Sequence, residues 1–479
     1  MTDYETNIGV EVHIELNTHS KLFCGCRNAF GERPNTNVCP VCTGMPGTLP
    51  VLNRRALEMA VRVGLALNCD ISREVCFDRK NYYYPDNPQN YQITQQRNPI
   101  AAHGHVDIEG GKRVRIKELH MEEDAGKLIH CESETVSLVD YNRAGVPLIE
   151  IVTEPDMGTA EETVEFLKKL RLIIKYLGVS DCKLQEGSMR ADVNLSVRRP
   201  GGKMGVRTEM KNLNSFRAVK RAVEAEKRRQ AGIIGAGGSV LQEARRWDDL
   251  RGESFSMRLK ETLRDYMYFP DPDLPVLKLS DGEISELEKS LPEFREEKAK
   301  RFIKEYGIPE YDALLLTEYP AVADLFEKTV KECGSDRAGE WPMAKSVSNR
   351  LMTDGLRLCR EKGTDPDDMK VSPRQLAVLV MMQRKGEITS NVAGEIFEAL
   401  FEADTDPREY AAERGLLIRN DEDELRGIIK KAIEENPGAV ADYKAGKTKA
   451  AGYIVGQVMK ATRGSAAPQV LNRLLRELI

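Results

Sequence analysis

The sequence predicts an α+β fold: a β-rich amino-terminal part with an antiparallel or mixed sheet, then an all-helical part, then a small helical tail. Three observations predict it. Up to about residue 290, short runs rich in β-branched residues are broken by Gly, Pro and Asn, as strands between turns are. Beyond Leu291-Pro292 apolar residues recur at helical spacing almost throughout. Near Pro407 the pattern changes again, to short capped amphipathic helices whose far end is basic. The parts so defined span residues 1–292, 293–406 and 407–479.

Taken in order, the strands are Thr6 to Leu16, Val114 to His120, Thr135 to Tyr141, Leu148 to Thr153, Ala191 to Arg198 and Gly205 to Met210. Thr159-Ala-Glu-Glu162 is a capping box, and Val164, Leu167, Leu170, Ile174 and Leu177 follow at helical spacing until Gly178 stands where a C-cap glycine belongs. A second helix starts after Asn214-Ser215 and ends in a loop at 232–238. In the helical part breaks fall near Pro320, Pro373 and Pro407, and a tail helix spans Asp423 to Glu435. No internal repeat is present.

Carboxylates sit in apolar or turn-forming contexts at three places: Gly9-Val-Glu-Val-His-Ile-Glu-Leu16, His120-Met-Glu-Glu-Asp-Ala-Gly-Lys127 and Pro147-Leu-Ile-Glu-Ile-Val-Thr-Glu-Pro155. Alternation puts Val10, Val12, Ile14 and Leu16 on one strand face and Glu11, His13 and Glu15 on the other. Glu150 lies among Leu148, Ile149, Ile151 and Val152, where a carboxylate is costly to desolvate unless a metal, a base or hydrogen-bond donors compensate it. Each glutamate alone reads as part of a solvated sheet face. The set points to a buried site for a hard cation.

Cys24-Gly-Cys26 and Cys39-Pro-Val-Cys42-Thr-Gly form the other constellation. Cys-x-x-Cys followed by Thr-Gly is a zinc-knuckle turn, and four thiolates are what a closed tetrahedral zinc site requires. A redox pair at Cys39 and Cys42 would need a strand-to-helix context that is missing. The amino terminus carries no signal pattern and no run could span a bilayer, so a cytoplasmic protein with no membrane association is expected and the remaining cysteines read as thiols. All six histidines lie at or before His130; His13 shares a strand face with Glu11, while His19, His103, His105, His120 and His130 read as surface or structural residues.

A net charge of −5 excludes a general polyanion binder, yet Ala439 to Ile479 carries seven basic residues against Asp442 and Glu477. Lys444, Lys447, Lys449, Lys460 and Arg463 are therefore the candidate nucleic-acid contacts, with a solubilising helix face as the alternative. No P-loop or strand-linked Gly-x-Gly-x-x-Gly occurs. Candidate phosphate contacts are Ser188 and Arg190 in Gln185-Glu-Gly-Ser-Met-Arg190, and Lys211, Asn214 and Ser215 in Lys211-Asn-Leu-Asn-Ser215, where a cationic turn enters a helix. Asn-Ser before a helix is as often only a cap. Asn81 to Tyr91 packs tyrosines and amides into one turn-rich segment suited to a site wall.

These segments, with Phe77-Asp-Arg-Lys-Asn-Tyr-Tyr-Tyr-Pro-Asp-Asn-Pro88, Asn142-Arg-Ala-Gly-Val-Pro-Leu-Ile-Glu150, Tyr268-Phe-Pro-Asp-Pro272 and Gly456-Gln-Val-Met-Lys460, resemble the B-type subunit of the tRNA-dependent aspartyl/glutamyl amidotransferase, the GatB family, over the whole chain. The related E-type protein carries a synthetase-like insertion for which this length leaves no room. The resemblance implies a cradle domain, a helical domain and a basic tail that grips tRNA. It implies ATP-dependent phosphorylation of the side-chain carboxylate of misacylated Glu-tRNA(Gln) or Asp-tRNA(Asn), then amidation by ammonia. By that match Glu11, His13, Glu123 and Glu150 are the catalytic and magnesium-handling set, with Glu122 the alternative to Glu123 and His13 a ligand, a water-positioning or an ammonia-guiding group. Cofactors implied are ATP and Mg2+, beside structural Zn2+. The chain itself has no amidase-type Ser-Ser-Lys segment, and no histidine after residue 130 to serve a cysteine glutaminase. The resemblance supplies ammonia from a separate glutaminase (amidase) subunit, with a small bridging subunit completing a heterotrimer. A purely RNA-binding zinc protein would leave the glutamates without a purpose, and a small-substrate ligase would leave the tail without one.

Overall fold

The computed structural model describes residues 4–130, 136–259, 266–334, 342–418, 422–444, 449–462 and 468–479. The chain forms two compact units, Met1–Pro292 and Glu293–Ile479, and the fold is α+β.

The first unit is built on a nine-stranded sheet. Its spatial order is β14 (Glu253–Leu259), β13 (Glu243–Asp248), β12 (Thr208–Lys211), β11 (Met189–Arg198), β1 (Glu5–Glu15), β10 (Pro147–Thr153), β7 (Arg113–Glu123), β6 (Ala101–Asp107) and β2 (Asp70–Ile71). Neighbours run antiparallel except β12 and β13, so the sheet is mixed. A three-stranded sheet adds β15 (Met267–Pro270), β4 (Asp78–Asn81) and β5 (Tyr91–Thr94). Two small ribbons pair β16 (Leu277–Lys278) with β3 (Glu74–Val75) and β8 (Lys127–His130) with β9 (Ser137–Asp140).

Alternation in β1 works as the sequence implies. Ile8, Val10, Val12 and Ile14 are buried, and the register aligns Val12 with Ile151 and Ala191, and Ile14 with Ile149. Ile149 and Ile151 in turn face Met121 and Leu119, so one sheet face is a continuous apolar layer. Helix α1 (Arg54–Ala66) packs on β6 and β7, while α3 (Phe216–Gly235) packs on β11 and against α2 (Ala160–Leu177). Thr159 Oγ1 accepts from Glu162 N–H to cap α2, and Gly178 closes it at φ 66°, where a side chain is disfavoured. The Glu162 carboxylate, however, accepts from Gly158 N–H and pairs with Lys112 instead of completing the capping box.

Three expectations shift. The strand read as Gly205 to Met210 is only Thr208–Lys211, and α3 continues through the expected loop start to Gly235. Of Thr135 to Tyr141 only Ser137–Asp140 is a strand, residue 135 lying outside the described residues. Strands β13 and β14 extend the sheet from a segment whose charged sequence hides them.

In the second unit, helices from Arg295–Tyr306 to Pro407–Glu413 enclose a core that includes Phe302, Phe326, Leu376, Val380, Ile396 and Phe397. Pro320, Pro373 and Pro407 each occupy the first helical turn, where the missing N–H costs nothing. Ala411 and Leu416 belong to this core, so the residues just after Pro407 pack with the helical part. A separate core of Leu425, Ile429, Ile454, Val458, Leu471 and Leu474 is built from helices Glu422–Glu435, Lys449–Ala461 and Pro468–Leu478. Among the described residues no helix is long and apolar enough to cross a membrane.

Candidate active site and thiol cluster

The sheet face opposite the helices is polar because the same register that aligns the apolar residues aligns the charged ones. His13 is opposite Arg190 on one side and Glu150 on the other, and Glu150 is opposite His120. Arg190, His13, Glu150 and His120 thus form one row across four strands. Glu11 and Asp192 face each other in the next row. Glu122 enters from the other side, opposite Leu148.

The distances make a site of these rows. His13 Nε2 lies 3.4 Å from Glu122 Oε1 and 3.8 Å from Glu150 Oε2, while His120 Nε2 is hydrogen-bonded to Glu150 Oε2 at 2.7 Å. One ligand atom from each of His13, Glu122 and Glu150 falls within a 4.8 Å cluster, the span over which a single cation can be held. Burial alone would raise the Glu150 carboxyl, but the His120 hydrogen bond and the charges of His13, His120 and Lys80 outweigh it and hold Glu150 at about 2. It is therefore an anion at neutral pH, ready to meet a cation. Burial likewise works against the protonated form of His120, yet Glu150 raises its pKa.

Glu123 is the correction. Adjacent strand residues point to opposite faces, and β7 puts His120 and Glu122 on the polar side and Leu119, Met121 and Glu123 on the other. Glu123 Oε1 accepts from Ile93 N–H at 3.0 Å and from Gln89 Nε2 at 2.5 Å. It lines a cavity of about 210 Å³ with Cys42, Gly44, Arg79 and Tyr91, and burial pushes its carboxyl up to about 8. Of the pair, Glu122 joins His13 and Glu150. The alternation of Leu119 and Met121 with His120 and Glu122 was the signal that could have separated them.

Glu11 stands in the neighbouring row, held by Asn194 Nδ2 at 2.7 Å and raised by burial and then by the charges of Glu150 and Glu209. Arg190 binds Asp124 Oδ2 at 2.7 Å, and Lys211 Nζ lies 2.5 Å from Asp192 and 2.7 Å from Glu209. Both cations are on the polar face. The two serines are engaged locally: Ser188 Oγ binds Asp181 and accepts from Lys183 N–H, and Ser215 Oγ caps α3 by accepting from Ala218 N–H. Asn214 is exposed beside that cap.

Further charged residues complete the face, Lys80 among them without a signal in the sequence. Lys80 on β4 is half-buried, and although burial lowers its pKa the charges of Glu122, Tyr268 and Glu150 raise it. Burial pushes Glu15 up to about 8, helped by its neighbour Asp124, while Arg190 and Arg143 overcome burial and hold Asp124 low. The Asn81 to Tyr91 segment does form a wall, through Gln89, but on the Glu123 side.

Cys24, Cys26, Cys39 and Cys42 gather with their sulfurs within 4.8 Å of one another. Cys39 and Cys42 sulfurs are 3.9 Å apart, close to the roughly 3.8 Å edge of a tetrahedron of ~2.3 Å zinc–sulfur bonds. Cys39 N–H donates to Cys42 Sγ at 3.2 Å, and the turn closes through Thr43 and Gly44 N–H. Gly44, at φ 66°, admits no side chain, since a Cβ would come within 2.7 Å of Gln89. The fully buried Lys21 places its Nζ 3.5 Å from Cys42 Sγ. Hydrogen bonding from Cys24, against the cost of burial, leads the effects that lower Cys42 to about 4. The four residues fit a metal.

In the tail, Lys444 and Lys460 are exposed and Lys449 opens a helix, while Lys447 and Arg463 lie outside the described residues.

Residues 6–285 match the family described as the GatB/GatE catalytic domain, and residues 324–479 match the GatB domain. The B subunit of the aspartyl/glutamyl-tRNA(Asn/Gln) amidotransferase of Agathobacter rectalis is 55% identical over 483 residues, covering 100% of both chains. The proteins of the same name from Lachnospira eligens and Thermoanaerobacter sp. are each 52% identical, over 100% and 99% of both chains respectively.

Proposed function

The chain belongs to the GatB/GatE family, and from that premise we propose that it is the component of a tRNA-dependent amidotransferase that activates the side-chain carboxylate of misacylated Glu-tRNA(Gln) or Asp-tRNA(Asn) with ATP and passes it to ammonia. The observation that carries this reading is the cluster of His13, Glu122 and Glu150 on a polar sheet face flanked by Arg190 and Lys211.

A carboxylate is a poor electrophile because its leaving group would be oxide. Attack of its oxygen on the γ-phosphorus of ATP releases ADP and leaves an acyl phosphate; ammonia then adds to the carbonyl carbon, and phosphate departs to give the amide. Two anions must approach in the first step, so the site needs positive charge and fixed geometry. Glu122 and Glu150 are the oxygen ligands that would hold Mg2+, which when bound neutralises phosphate charge. His13, an unusual direct partner for so hard an ion, stands 3.4 and 3.8 Å from the two carboxylates, placed to complete the cation cluster, to position water or to guide ammonia. Glu11 and Asp192 extend the anionic surface, and Lys211 exchanges its carboxylate partners for phosphate oxygens when nucleotide enters. Ammonia comes from a separate glutaminase subunit, with a small third subunit bridging the two. The thiol cluster holds Zn2+ as a structural ion. Lys444 and Lys460 contribute to tRNA binding with the rest of the basic tail.

The test is reconstitution with a glutaminase partner, measuring ADP release and formation of Gln-tRNA(Gln) and Asn-tRNA(Asn). ADP should form only with the misacylated tRNA. ATP consumption indifferent to charged tRNA, or none in the assembled complex, would overturn the reading.

A further inference from the structure

His120 reads as a bland structural histidine in the sequence, yet the register of three strands sets it in the row that carries His13 and Glu150. Both imidazoles approach one oxygen, Glu150 Oε2, at 2.7 Å from His120 and 3.8 Å from His13. His120 is the nearer and the more buried, with 12% of its side chain exposed against 23% for His13. Its own charged neighbours on the face are Glu118, Glu122 and Glu150. A carboxylate that binds a cation through a flexible three-bond stem must be restrained, and a histidine hydrogen bond behind it does so at the cost of one lone pair.

We propose that His120 is a positioning residue for the cation site: its Nε2 hydrogen bond to Glu150 Oε2 fixes the carboxylate in the conformation that brings it within reach of His13 and Glu122. This rests on the reading of His13, Glu122 and Glu150 as the cation-binding cluster. His120 acts through Glu150. Partners of this kind contribute about 10–100-fold to metal affinity.

The experiment is a Mn2+ titration of the full-length chain followed by electron paramagnetic resonance, with Mn2+ as the visible substitute for Mg2+. His120→Leu and His120→Phe keep bulk and remove the donor, whereas His120→Gln keeps an amide donor near the Nε2 position. Both donorless variants should bind Mn2+ about 10–100-fold more weakly, and His120→Gln should return to within about threefold of the natural chain. Either donorless variant that folds decides the matter. Unchanged affinity in it, or a His120→Gln protein as weak as the Leu variant, would overturn the proposal. Glu150→Gln in parallel separates the two readings: if it binds Mn2+ normally the cation cluster itself is wrong, and if it has lost Mn2+ while His120→Leu has not, only the role of His120 fails.

Discussion

The adjacent glutamates of β7 offer the sharpest test of the site, because one substitution should empty it and its neighbour should not. Glu122→Gln keeps shape and removes one of the two carboxylate charges within the 4.8 Å cluster. For a divalent cation at that outer limit, loss of a unit charge weakens attraction by about 7 kcal/mol at an effective dielectric of about 20, and by about 1.7 kcal/mol in the fully aqueous limit. The aqueous limit sets a floor of roughly 20-fold in affinity. Glu122 is only 3% exposed, so the true loss should lie well above that floor, at about 100-fold or more. Glu123→Gln alters a side chain whose oxygen accepts from Ile93 and Gln89 across the sheet from the cluster, and should leave Mn2+ affinity within about threefold. Calorimetric or paramagnetic titration of both full-length variants measures this. Equal losses, or a larger loss for Glu123→Gln, would refute the argument from strand alternation.

Changing Cys39 and Cys42 together to serine should abolish zinc retention and lower the melting temperature, measured by metal analysis and calorimetry; a zinc-free natural chain with normal stability would contradict the metal reading. Ending the chain after Leu416, where the first helical core closes, should leave ADP formation possible while raising the Michaelis constant for charged tRNA and flattening the salt dependence of binding, as measured by filter binding. Glu327 is held at about 2: burial opposes this but Arg301, at 2.9 Å, and Lys331 outweigh it. A carboxyl depressed from its ordinary 4.5 stabilises above that value and loses the contribution as pH falls toward 2, so the stability advantage over Glu327→Gln should be about 1–2 kcal/mol at neutral pH after solvent screening and vanish on acidification. An advantage independent of pH between about 5 and 2 would exclude this cause.

Local regularities were legible in the residues alone. The two-residue period of β1 put Glu11, His13 and Glu15 on a common face, Thr159 and Gly178 bounded α2, and Cys39 to Cys42 formed the knuckle that their spacing demands. The helical second half followed from periodicity, and its prolines marked helix starts. Such features depend on neighbours a few positions away, so the chain carries them wherever it folds.

What the tertiary structure decided is register. Whether Glu150 meets His13 and His120 depends on how β10 slides between β1 and β7, and a slip of one residue would turn its charged side chains into the apolar layer. His120 gained its place by that alignment, whereas the parity of β7 alone already separated Glu123 from Glu122. Lys80 and Asp192 come from strands distant in sequence, and Cys24 and Cys26 meet Cys39 and Cys42 only because the intervening loop closes. Pairwise distances across strands are long-range quantities. The apolar face supplies the free energy that selects one register, and the charged face inherits its geometry from that choice.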